Sequence, residues 1–212
     1  MVTQHGRRLA LCYFASRPFP ANGHACGGGR CRRGDGDITS ALDKHRAIAV
    51  TAARQGDFVR ALESADYICD SVLKEKPTAY FIADIYGSAV ETYLYAMEAN
   101  AEDSQLLFKI QKNLRRMKAL SKTFWNLKPR YWLLRAWLEG TTGKTPLSAL
   151  RRATAIAERQ HMRLEVACAA ALKIKFGLGS DDDFQHASTV FRELGCEYRH
   201  RVLLTDREKT AA

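Results

Sequence analysis

Residues 54–65, "RQGDFVRALESA", decide how this chain folds. Helical patterning precedes Gly56 and resumes after it, so the glycine ends one helix and Asp57 caps the next. Beyond the cap, Phe58, Ala61, Leu62, Ala65, Ile68, Cys69, Val72 and Leu73 step by three and by one. That spacing lays them along one stripe of an α-helix. Two helices joined by so short a turn fold back on each other. Phe58 is placed to fill the space between them, and Ala61 is small enough to let them approach.

The same reading, carried outward, predicts eight helices and no strand. The first covers Thr39–Gln55, and the second opens at Asp57 and ends before Pro77. A third covers 78–99, and a fourth runs from Asp103 to about Trp125. The fifth starts at Pro129, carries Trp137 and closes at Gly140. The sixth has Thr145 as N-cap and Pro146 at its first position, and reaches Gln160. The seventh covers 163–176. The eighth, capped by Ser180 with Asp181, Asp182 and Asp183 in its first turn, stops at Gly195.

Gly56, Phe58 and Ala61 together form the inner half of a tetratricopeptide-like unit. Gly143 with Ala149 and Leu150 gives a looser version. The aromatic-Leu-Gly pattern of the outer helix is missing, since the corresponding stretch is "HRAIAVTAA". The expected fold is therefore all-α: a tetratricopeptide-like α-solenoid of about four hairpins over residues 38–205. A disordered Gly/Arg-rich tail (1–37) should precede it and a disordered C-terminus (206–212) should follow it.

With 46% hydrophobic and 26% charged residues, the 212-residue chain has an ordinary globular composition. Its net charge of +10 is concentrated at the start, where residues 1–34 hold six arginines and no acid. The remainder is mildly basic, and no nucleic-acid partner is expected. No run approaches the roughly 18 apolar residues of a membrane span. The six cysteines fit a reducing, cytoplasmic setting, with Cys69, Cys168 and Cys196 acting as small hydrophobes within helices.

"GTTGKT" at 140–145 imitates a phosphate loop. The loop needs a glycine five residues before Gly143, a position held by Leu138, and it needs a preceding strand. It has neither, so Lys144 should not bind nucleotide. Cys26 and Cys31 with His24 lack a second ligand pair for structural zinc. His45, His161, His186 and His200 share no metal spacing, and no nucleophile arrangement stands out. No catalytic residue, cofactor or metal is expected.

From Ser104 to Leu138 there is no acid. Lys112, Arg115, Arg116, Lys118 and Lys122 lie opposite Leu107, Ile110, Leu114, Met117 and Phe124, making a basic amphipathic helix. These five are the candidate partner-binding residues. Such a helix serves as a calmodulin-type target, a membrane-surface helix or a patch for an acidic partner. The plainer reading buries its apolar face in the stack and leaves the basic face in solvent.

Residues 128–171, "KPRYWLLRAWLEGTTGKTPLSALRRATAIAERQHMRLEVACAAA", and 187–202, "ASTVFRELGCEYRHRV", carry a more specific likeness. Their Lys128-Pro129-Arg130, Trp137-Leu138-x-Gly140, Ala149-Leu150, Ala157-Glu158 and Phe191-x-x-Leu194-Gly195 resemble the C-terminal helical region of soluble-adenylyl-cyclase-type proteins. Those proteins join class III cyclase modules, an AAA/STAND ATPase module and a helical tail. The resemblance implies a protein-interaction or regulatory tail, acting on a protein partner or on a cyclase or ATPase module in cis. The paired metal-binding aspartates of a cyclase centre are missing, so no catalytic residue carries over. The alternative is a piece of an active cyclase (ATP to cyclic AMP) or ATPase whose catalytic part lies outside these residues.

Overall fold

The computed structural model describes residues 35–75, 80–100 and 103–211. Among them are nine α-helices and no strand. The helices are α1 (Asp35–Gln55), α2 (Phe58–Glu75), α3 (Tyr80–Ala99), α4 (Ser104–Thr123), α5 (Lys128–Thr141), α6 (Leu147–Arg159), α7 (Arg163–Lys175), α8 (Asp181–Glu193) and α9 (Glu197–Ala211). A single 3₁₀ turn, Trp125–Leu127, joins α4 to α5.

The expected helices are all present, with several shifted limits. α1 starts at Asp35, inside the segment expected as tail, whose residues 1–34 lie outside the described ones. α4 stops at Thr123, short of Trp125. Thr145 does not cap α6: Pro146 holds the cap position, without a side-chain hydrogen bond. α9 is an addition, and it continues through residues 206–211, past the limit expected at 205.

One kind of turn closes most of these helices. After α1, the Gly56 N–H donates to Ala53 O (3.1 Å) and the Asp57 N–H to Ala52 O (2.9 Å). Gly56 has φ +79°, the left-handed conformation this paired-bond ending requires. The same pair of bonds recurs at Gly143, Gly177 and Gly195. It recurs again after α6, where His161 takes the position at φ 54°. Gly140 therefore does not end α5, which runs on to Thr141. Its smallness serves another purpose: a Cβ there would collide with the Phe176 ring.

Packing follows a regular series. The odd-numbered helices stack α1 on α3, α3 on α5, α5 on α7 and α7 on α9. Each even-numbered helix packs against the one before it and the one after it. Small residues make the close approaches, with Ala61, Ala65, Ala89, Ala136, Ala157, Ala169 and Ala187 fully buried. Phe58 packs against this core and is half-buried. The Arg54 guanidinium of α1 lies 4.3 Å over the Tyr198 ring of α9, so the series curves far enough for its two ends to meet.

Candidate functional site

α4 is fixed in rotation by its N-cap and its buried face. The Asp103 carboxylate accepts from the N–H groups of Gln105 (2.9 Å) and Leu106 (3.0 Å). Leu106, Ile110, Asn113, Leu114, Met117 and Ser121 are buried against the neighbouring helices. Asn113 in turn accepts from the Tyr86 hydroxyl at 2.5 Å. The apolar face is thus consumed by the stack, which removes the surface that calmodulin-type or membrane-surface binding requires.

The opposite face of α4 is cationic and open. Lys112, Arg115, Lys118 and Lys122 are exposed and make no ion pair among the described residues. Arg116 departs from this group: it is half-buried and donates to Asn113 at 3.4 Å. Lys109 is also separate, paired with Asp66 of α2 at 2.7 Å. Two exposed rings precede and follow these cations in the chain, Phe108 on α4 at 61% and Trp125 in the 3₁₀ turn at 60% exposure. The candidate list above omitted both rings. The signal for Phe108 was available, because it lies four residues before Lys112 on the same helix face.

A second cluster of charges lies within the odd-numbered series, buried at Arg130 and Glu91 and partly exposed at Asp84 and Arg46. Arg130 of α5, 4% exposed, pairs with Asp84 and donates to Ser88 (3.1 Å) and Glu91 (3.4 Å), all on α3. Arg46 of α1 joins Asp84 at 3.6 Å. Across from these, Glu165 of α7 has its carboxyl pushed above the usual range by burial, with Arg130 and Arg199 pulling the other way. Farther along, Glu98 accepts from the Trp137 indole and from Lys175 at 2.9 Å, tying α3, α5 and α7 together. Burial likewise raises the Asp206 carboxyl, opposed by Lys175 and Lys209.

A small cavity of about 60 Å³ sits at the α9 end of this seam. Tyr95, Trp137, Cys168, Phe191 and Arg199 are among its lining residues. Burial pushes the Cys168 thiol up to about 12, with the nearby Arg199 opposing the shift. At neutral pH it is a packed thiol rather than a nucleophile. Cys69 is pushed to about 12 in the same way. Cys196, expected within a helix, lies in the turn before α9 and is half-exposed.

The remaining candidates stay apart. Lys144 is exposed in the turn between α5 and α6. His45 stacks on Tyr67 at 3.8 Å, while His200 meets Ser188 at 2.9 Å. Asp181 pairs with Arg207 and Asp183 with Lys173, each at 2.7 Å, and Asp183 also completes a capping box with Ser180. Among the described residues no group of three His, Cys, Asp or Glu side chains could hold a metal. His24, Cys26 and Cys31 lie outside those residues. Among the described residues no helix is long and apolar enough to cross a membrane. Comparisons with protein-family models, with curated proteins and with solved structures found no match to this chain.

Proposed function

We propose that this chain is a non-catalytic helical-repeat module that binds or regulates other proteins. In this reading it is a tetratricopeptide-like α-solenoid, similar to the tail of soluble-adenylyl-cyclase-type signalling proteins. The supporting observation is the packing series, in which odd-numbered helices stack one on the next and even-numbered helices lie between chain neighbours. Repeat arrays stack each unit on its neighbours and present a continuous surface to partners, and here the series also curves until α1 meets α9. The partner is a separate protein or a cyclase or ATPase module in cis, met by the basic face of α4.

The likeness of residues 128–171 to cyclase tails supports a second reading, a piece of an active class III cyclase or AAA/STAND ATPase with its catalytic part elsewhere. Calorimetry with magnesium-ATP, on the wild type and on Lys144→Ala, separates an enzyme site in this chain from a module. Neither protein should release heat of binding. Tight binding abolished by Lys144→Ala would sink the module reading.

A further inference from the structure

α4 combines a single sign of charge with two aromatic ends. Positions 108, 112, 115, 119 and 122 follow the four-then-three step of one helix face, which aligns Phe108 with Lys112, Arg115 and Lys122. Lys118 is exposed beside that line. From Lys112 to Lys122 the cations extend about 15 Å, at a rise of roughly 1.5 Å per residue. Beyond them the Gln160 side-chain amide donates to the Trp125 carbonyl at 3.3 Å, holding the 3₁₀ turn to the end of α6. The exposed Trp125 ring therefore projects from an anchored backbone.

We infer that this ridge docks an acidic helical segment of a partner protein. Carboxylates spaced three and four residues apart run along α4, and an apolar side chain at each end rests on Phe108 or Trp125. The inference rests on the interaction-module reading and names the chemistry of the partner. Three observations select this occupant.

Residues 1–34 hold six arginines and no acid, so that segment of the chain is repelled by the ridge rather than drawn to it. The four cations recur at helical pitch, so a second helix alongside meets them in register. A lipid surface is disfavoured because the apolar face of α4 is buried.

The test is fluorescence anisotropy on the full chain with a labelled peptide as long as α4. Its glutamates lie on one helical face and it has a leucine near each end. Comparison ligands are a peptide of the same composition with the glutamates shuffled off that face, a single-stranded oligouridylate, and phosphatidylserine vesicles. The patterned peptide should bind most tightly, and added salt should weaken it.

Combined Lys112→Glu, Arg115→Glu, Lys118→Glu and Lys122→Glu should weaken it by about tenfold or more, from four attractive pairs turned repulsive. Helical circular dichroism monitors the fold of that variant. If the fold is lost, the pair Phe108→Ala and Trp125→Ala decides instead, and it should weaken binding with the salt dependence kept. Equal binding of patterned and shuffled peptides, or no binding at low salt, overturns the proposal. Tighter binding of oligouridylate or vesicles also overturns it. Unchanged peptide affinity in the charge-reversed variant removes the ridge as the site while leaving a module that binds elsewhere.

Discussion

Arginine and lysine are put to opposite uses in two regions of this molecule. On α4 the cations of Lys112, Arg115, Lys118 and Lys122 are exposed and meet no acid among the described residues. In the odd-numbered series Arg130 is 4% exposed and held among Asp84, Ser88 and Glu91. The difference lies in what each charge costs if its surroundings change. A solvated cation contributes little to folding and remains free to meet a partner. A buried one is committed, because removing it strands the acids that neutralise it.

Removing Arg130 strains this contrast most. Arg130→Ala leaves Glu91 buried without its guanidinium and should destabilise the fold by about 3–5 kcal/mol, the usual cost of breaking a buried pair. Urea denaturation at neutral pH measures it. A loss no larger than that of a surface substitution would erase the distinction between the two regions.

A smaller effect is expected at Glu165. Its folded carboxyl is raised above the ordinary value of 4.5, chiefly by burial. Its contribution to stability is therefore fully present below that value and is lost as pH rises through the folded one. Glu165→Gln should make the protein more stable than the wild type at pH 7, with the advantage vanishing toward acid pH. Thermal midpoints from pH 4 to 7 would show it, and a constant difference across that range would contradict it.

The smallest effects belong to the ridge. Single alanine replacements of Lys112, Arg115, Lys118 or Lys122 should each stay within about 0.5 kcal/mol of neutral. Replacing all four should raise stability slightly, since like charges three and four residues apart repel by roughly 0.2–0.5 kcal/mol per pair. Chemical denaturation in low salt is the measurement. A marked loss would show that the ridge serves the fold rather than a partner.

These contrasts were unequally visible in the sequence. The α2 stripe was legible because its apolar residues keep helical spacing next to a glycine turn. α9 was not, since it is held partly by buried Arg199 and by Tyr198 under Arg54, which produce no apolar stripe. Arg130 read as one more cation in an acid-free run, because its acids lie 39 and 46 positions away on α3. The basic face of α4 was readable from composition alone. Phe108 could have been added from its spacing to Lys112, whereas the exposure of Trp125 depends on how the turn after α4 packs.

The contact between Arg199 and the Cys168 sulfur has a chemical consequence. The thiol is 4% exposed beneath α9, and burial keeps it protonated at neutral pH. An alkylating reagent must then wait until α9 lifts away, so the modification rate at Cys168 times the detachment of that helix. Cys196, half-exposed in the turn before α9, should be modified before Cys168. Cys69 of α2, equally buried at 4% exposure, reports an opening at the other end of the series. Among the described residues, the two buried thiols thus report openings at opposite ends of the helix series.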